Sequence, residues 1–488
     1  MLDKTEQQQR AERRARLTLG LAPSAPLAAE EISVALKYAL IDECEASSAY
    51  SPGQLDGLCA QWEWSNTTAE ASVYRALKHC PTYRKRLGEL VVEAHMSQPL
   101  APELCIAPRP LAASQLRALL PGLHNHAVLF AATPLFTHEF YPLAVDAFSY
   151  DSERQGSAFF NVLGIHLDWI ETTGYVHRVI ALDFESNRLV EAALQHPLPI
   201  HSVHFICLGT NERTLHQRWS ASLSMPQVNP AATATLSDDK CATARAWSAM
   251  GLEIPPLLTV ESCDTGAVAR FIAAHGEVVI KPNFATEGRD IAYLQDLEDF
   301  ETYSRTIPPE QNTLLQARRD RVFFKDMQTQ VVRTLALRLN VGSDGVHRRV
   351  DSGYAQLGAH ARAPASRGID GGTIVALAAL QDGLVYQSGG HWQSLRLGED
   401  FWCEAFARAE RGAALFAELL LVGIDLIIDI DENGQPSALL IEANPRPAGL
   451  SHAHLLLDDQ VREDQAGVGE TMWKGLYAQL EQATALAV

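Results

Sequence analysis

The sequence predicts a mixed α/β (α+β) chain built from several lobes, and three observations predict it. From about residue 121, short apolar runs bounded by turn residues alternate with helical patterns: HAVLFAATP, then VHRVIALDF before NRLVEAALQ, then SVHFICLG before TNERTLHQRW. That alternation favours a parallel-sheet unit. Near the C-terminus, two apolar runs flank Asn433-Gly434, the strongest short-range signal for a hairpin. The chain has 488 residues, 47% hydrophobic and 20% charged, enough for about three domains and too apolar for a disordered or coiled-coil chain.

In order along the chain, residues 1–30 form a polar, then Ala- and Pro-rich arm with Arg10, Arg13, Arg14 and Arg16, read as a solvated, frayed helix. Residues 31–95 carry helical periodicity, which makes 1–120 a mainly helical region of unreadable role. A small α/β domain fills 121–235. Asn229-Pro230 reads as a linker, followed by a helix over 237–250 with Ser237 as its N-cap, so a third domain spans 236–488. Its elements are the strand EVVIKP, a polar loop, the strand IAYL, a helix, the strands NTLLQA and TQVVRTLALRLNV, a Gly-rich region at 352–373, a helix near 400–421 and the terminal hairpin.

Composition excludes several functions. Lys and Arg number 40 against 59 Asp and Glu, a net charge of −19. An acidic surface repels nucleic acid and anionic membranes. The eight cysteines (Cys44, Cys59, Cys80, Cys105, Cys207, Cys241, Cys263, Cys403) show no CxxC or zinc-like spacing, which predicts reduced thiols in the cytosol. The charged start MLDKTEQQQRAERRARL lacks the apolar run of a signal peptide. The most apolar stretch, 415–430, is broken by Glu418, Asp425 and Asp429 and is too acidic to span a bilayer.

The hairpin GIDLIIDIDENGQPSALLIEANPRPAG carries the chemistry. With Asn433 and Gly434 as the two central turn residues, 432 faces 435 and Asp425 falls opposite Glu442. Opposed like charges about 5 Å apart at Cβ are destabilising, and buried they are costly, so something positive belongs between them. Asn444 shares the Glu442 face, about 6.6 Å along the strand. Asp425, Glu442 and Asn444 thus present oxygens suited to a hard cation such as Mg2+. The plainer reading is an exposed hairpin with its acids in water.

The EANPRPAG string, the acidic strand before it and the upstream IKP together resemble the ATP-grasp superfamily, carboxylate–amine ligases included, over about residues 236–460. The resemblance implies an ATP-grasp fold in the C-terminal half, preceded by a small pre-ATP-grasp domain, with ATP and Mg2+ as cofactors. It implies that Asp425, Glu442 and Asn444 hold two Mg2+ ions on ATP, and that Lys281 of IKP and Lys240 of SDDK contact phosphate. It also implies nucleotide contact by Gln316 and Ala317 of LLQAR. NFATEGRDIAYL, with Glu287 and Gly288, fits the loop over the phosphates or a plain turn. No ribose-binding acid is evident.

Two arginines are catalytic candidates. Arg333 lies in an apolar strand where an unpaired guanidinium is expensive, and the resemblance aims it at the acyl-phosphate. Arg338 is a further candidate behind these two, since five residues on from Arg333 it points to the other face of an ideal strand. Arg446 is held between two prolines, which suits a residue fixing phosphate or the reacting carboxylate. Arg362, Arg367 and 368–372 read equally as an ordinary loop or a substrate-carboxylate clamp, and His454 as lining the substrate pocket. His124-Asn125-His126 and His452-Ala453-His454 lack the further ligands a metal needs.

The function expected is therefore a cytosolic ATP-dependent ligase that activates a small-molecule carboxylate as an acyl-phosphate and joins it to an amine. The alternatives are a kinase acting on a hydroxyl and a non-catalytic nucleotide-binding module. Nucleic-acid and membrane partners are not expected, and a homo-oligomer is left open.

Overall fold

The computed structural model describes residues 113–486, except for 132–135, 154–158, 184–187, 209–211, 261–264, 285–289, 307–311, 328, 367–371, 457–460 and 462–466. The arm and the helical periodicity of 1–95 lie outside the described residues. The chain forms two compact units. One comprises Met1–Ala231 with Ala448–Ser451 and Leu476–Val488, the other Ala232–Pro447 with His452–Gly475.

The first unit contains α1 (Ala113–Leu119), β1 (His124–Phe130), α2 (Phe136–Glu153), β2 (Phe160–His166), β3 (Tyr175–Asp183), β4 (Arg188–Pro199), β5 (Ser202–Phe205) and α3 (Glu212–Ser222). Its sheet has the order β4-β3-β2-β1-β5. β2, β1 and β5 run parallel, while β3 and β4 are antiparallel additions. NRLVEAALQ is strand β4 rather than a helix, because pairing with β3 along its length outweighs local propensity. β2 carries no alternation because all seven of its residues are buried. Side-chain parity splits the sheet: Ala127, Leu129, Leu163, Ile165, Val203 and Phe205 form the core of one face. Glu139, buried in α2, accepts hydrogen bonds from the N–H groups of Gly449 (2.9 Å) and Leu450 (2.7 Å), which fastens 448–451 to this unit.

The Asn229-Pro230 step is not a loose linker. Asn229 is fully buried, accepts from Phe205 N–H at 3.0 Å and donates to Phe205 O at 2.7 Å.

The second unit begins with α4 (Ala231–Asp238) and α5 (Lys240–Ala249). The helix predicted over 237–250 is thus two helices. Ser237 lies inside α4, and the N-cap is Asp239, whose carboxylate accepts from Ala242 N–H at 2.8 Å. A small antiparallel sheet follows, of β6 (Leu257–Val260), β7 (Val278–Pro282), β8 (Ala292–Leu294) and β9 (Thr313–Ala317), in the order β6-β9-β7-β8. It buries one face against α6 (Thr265–His275) and α7 (Leu297–Ser304) through Val268, Ile272 and Phe300.

The larger sheet contains β10 (Val322–Lys325), β11 (Val332–Ser343), β12 (Arg348–Leu357), β13 (Thr373–Val375), β14 (Leu384–Ser388), β15 (His391–Ser394), β16 (Leu421–Ile430) and β17 (Pro436–Asn444). The Gly-rich stretch from 352 is therefore partly strand. α8 (Glu399–Ala413) packs Phe401, Trp402, Ala405, Phe406 and Ala409 onto it. Trp247 of α5 joins this core and donates its indole N–H to Gly412 O at 2.9 Å. α9 (Leu450–Leu455) and α10 (Glu470–Leu486) complete the order. Among the described residues no helix is long and apolar enough to cross a membrane.

The β16–β17 hairpin corrects the expected turn. Pairing ends at Ile430↔Pro436, and Asp431 N–H donates to Gln435 O at 3.0 Å. Three residues, not two, close the loop, with Gly434 at φ +79°. The ladder runs one residue out of the expected register from Ile430 to Leu426, which faces Leu440. A bulge then absorbs Ile441, and Asp425 faces Glu442 as expected.

Candidate active site

Along β11, Leu335, Leu337, Leu339 and Val341 belong to the core, so Thr334, Ala336, Arg338 and Asn340 line the opposite face. The register extends that polar face across four strands. Tyr354 of β12 faces Arg338, Arg338 faces Asp425 of β16, and Asp425 faces Glu442 of β17. Gly423 faces Asn340 on one side and Asn444 on the other.

A cation does lie beside the opposed acids, and it is a guanidinium. Arg338 Nε donates to Asp425 Oδ1 and its Nη2 to Oδ2 at 2.8 Å. Asn444 Nδ2 also donates to Oδ2, at 3.3 Å. Lys240 Nζ stands 3.5 Å from Glu442 Oε2.

One asparagine brings the two lysines together. Asn283, directly after the IKP strand, accepts from Cys241 N–H at 2.9 Å and donates to Asp239 Oδ1 at 3.0 Å. The end of β7 is thereby tied to the start of α5, and Lys281 faces the same acids as Lys240. Burial pulls the Lys281 ammonium down to about 8, partly opposed by Glu442. In the carboxyl pair, burial raises Asp425 more than Arg338 lowers it. Glu442 behaves oppositely: burial pushes it up, but Lys240 and Lys281 outweigh this and hold it down. Each carboxyl also acts on the other, Glu442 raising Asp425 and Asp425 lowering Glu442.

The structure thus joins Asp425, Glu442, Asn444, Lys240 and Lys281. It does not join Arg333, whose Nη1 donates to Gly358 O at 3.2 Å and whose position has the parity of Leu335 and Leu337. The arginine among the acids is Arg338, on the face away from Arg333. Arg446 makes a two-bond ion pair with Asp238, both contacts 2.8 Å. Gln316 is buried on β9 between Leu257 and Val279, and its Nε2 has no hydrogen-bond partner among the described residues. Ala317 N–H donates to Pro256 O at 2.8 Å and Arg318 N–H to Glu277 O at 3.0 Å. These two backbone donors are therefore spent inside the unit and are not free to read a base. Arg362 is half exposed and paired to Glu277 at 2.6 Å. Glu287, Gly288 and Arg367 lie outside the described residues. Of the terminal histidines, His452 meets Tyr354 edge-to-face, ring centroids 5.4 Å apart.

Asp238, Asn283 and Tyr354 escape a local reading of the sequence, and Arg338, ranked there behind Arg333, is the arginine that pairs with Asp425. The signal for Arg338 was the alternation from Thr334 to Asn340, which marks a polar face once the acids are known to share it.

A buried and a partly exposed carboxyl with an amide from one hairpin fit a hard cation that takes its remaining oxygens from phosphate and water. Among the described residues no cluster of three or more His, Cys, Asp or Glu forms a closed protein cage.

No family model and no curated protein matches the chain. Solved structures do match in part. D-cycloserine synthetase DcsG is 17% identical with a TM-score of 0.42, covering 73% of this chain and 99% of its own. The D-alanine-D-alanine ligase of Coxiella burnetii is 10% identical with a TM-score of 0.44, covering 75% and 97%. The ATP-grasp ligase PsnB, solved with a precursor variant, Mg and ADP, is 13% identical with a TM-score of 0.39, covering 73% and 99%. All three are ligases or synthetases by name. Likeness this partial leaves the assignment to the residues of the site.

Proposed function

We propose that the chain is an ATP-dependent carboxylate–amine ligase of the ATP-grasp type, acting on small-molecule substrates. The observation that carries this reading is the row Tyr354, Arg338, Asp425, Glu442 across one sheet face, with Lys240 and Lys281 against Glu442.

A carboxylate is a poor electrophile, and phosphoryl transfer from ATP gives it a leaving group. Such transfer needs alignment and charge neutralisation more than a covalent side chain. Lys240 and Lys281 supply charge for phosphate oxygens, and burial of Lys281 strengthens its field by excluding water. Asn283 holds both lysines in place. Glu442 and Asn444, beside the Arg338-paired Asp425, would hold Mg2+, which supplies neutralisation of phosphate charge when bound. Arg338 fixes the Asp425 carboxylate in one orientation, and Arg446 with Asp238 secures the loop after the acidic strand. An amine attacking the acyl-phosphate forms the C–N bond as phosphate leaves.

The test is phosphate release by the purified protein with Mg-ATP and pooled carboxylic acids, with and without pooled amines. Release that requires both pools is expected. Release with hydroxyl compounds alone replaces the ligase reading with a kinase, and nucleotide binding without turnover replaces it with a binding module.

A further inference from the structure

We propose that Arg338 is a resident cation standing where a second metal ion would otherwise be required, so that the site takes nucleotide with a single divalent cation held by Glu442 and Asn444. This rests on the nucleotide-binding reading above and goes beyond the two-ion expectation that the resemblance carries.

Both oxygens of Asp425 accept from one guanidinium, Oδ1 from Nε and Oδ2 from Nη2. A planar fork matched to a carboxylate at both oxygens is a stronger and better oriented pair than a single contact. Asn444 adds a third donor to Oδ2, so three N–H groups already converge on this carboxylate. Arg338 reaches it directly, being its cross-strand partner in the β11–β16 ladder.

The space around the guanidinium is shaped for it. Gly423, two residues before Asp425 on the same face, would place a Cβ 3.1 Å from Arg338 Cδ and 3.4 Å from Nη1, with Pro447 Cβ at 3.2 Å. A side chain there would push against the arginine, and the glycine leaves room for it. Tyr354 stands across β12 on the other flank. The Arg338 side chain is 9% exposed and that of Asp425 5%, so the pair is permanent furniture of the face rather than a surface contact.

Glu442 is placed differently. Its strongest cationic neighbours are the two lysines, from α5 and β7, with Arg338 acting on it more weakly and without the two-bond fork. An ammonium is a point charge with no fork, so Glu442 keeps lone pairs for a cation beside a phosphate. A divalent ion seated on Asp425 would have to displace its two-bond guanidinium partner, whereas one seated on Glu442 and Asn444 would meet no such fork.

The count of metal ions tests this. Equilibrium dialysis of the full chain with AMP-PNP and Mn2+ is expected to give one protein-bound Mn2+ per bound nucleotide, and two would overturn the proposal. Arg338→Met frees Asp425 and is expected to raise the count to two, while Arg338→Lys, which keeps the charge, stays at one. A count unchanged at one in a folded Arg338→Met protein overturns the proposal. If Arg338→Met does not fold, the wild-type count decides alone. Absence of any retained nucleotide would instead overturn the ligase reading on which this one stands.

Discussion

Neutralising Glu442 should lower the pH at which the protein loses metal-free nucleotide, because Glu442 supports the charge on Lys281. Burial draws Lys281 down from 10.5 to about 8, and Glu442 is the largest force pulling the other way. A neighbouring opposite charge typically favours the charged form by roughly 1–3 pKa units. In Glu442→Gln the Lys281 midpoint should therefore fall from about 8 to roughly 6. The sign follows from the charged form being the one that binds phosphate: affinity holds below the midpoint and falls as pH rises through it. The assay is ADP binding by calorimetry from pH 5 to 9.5 in EDTA, so that no metal is lost with the carboxylate. Wild type should bind evenly up to about pH 8 and then weaken, and Glu442→Gln should weaken from about pH 6. Lys281→Met should bind weakly with little pH dependence. Matching midpoints in wild type and Glu442→Gln would refute the coupling between this lysine and this acid.

Arg446→Met should destabilise the chain by roughly 3–5 kcal/mol, since it strands a mostly buried Asp238 carboxylate. Combining it with Asp238→Asn should cost well under the sum of the two in a urea-unfolding cycle, and strict additivity would mean the pair is not coupled. Asp351, buried on β12, accepts from Thr471 N–H at 2.9 Å, yet burial raises its carboxyl from 3.8 to about 7. The folded protein then holds a proton that the unfolded chain releases between about pH 4 and 7, so stability falls as pH rises across that window, by roughly 4 kcal/mol at most. Asp351→Asn should flatten this slope in urea midpoints measured at pH 4.5 and 7.5, and an equal slope in both proteins would remove Asp351 as its source. Gly423→Ala should cost about 1–3 kcal/mol through overpacking against Arg338 and Pro447, read as a lowered midpoint, and a neutral substitution would show that the arginine is not tightly seated.

How much of this could be read from the sequence depends on how local the cause is. The facing of Asp425 and Glu442 follows from a turn signal and strand alternation within twenty residues, although two departures cancel to give it: a longer loop at Gly434 and a bulge at Ile441. Lys281 stands out as the end of a strand stopped by Pro282, whereas Lys240 taken alone reads as a solvated helix lysine and stands out only through the resemblance. Arg338 does not, because its partner lies on a strand 87 residues away and only the β11–β16 register joins them. Asn283 binds a helix start 42 residues upstream, a link with no local trace. NRLVEAALQ misleads for the same reason, since a strand partner rather than its own composition decides its state. Ala317 suits a base-reading role by position, yet its donor is already used by Pro256.

The most direct measurement of the central claim is a crystal structure of the full chain with AMP-PNP and Mn2+, with data collected at the manganese absorption edge. The account predicts anomalous density beside Glu442 and Asn444 and phosphates within reach of Lys240 and Lys281. Manganese or nucleotide bound away from this sheet face, with Glu442 turned to solvent, would contradict it.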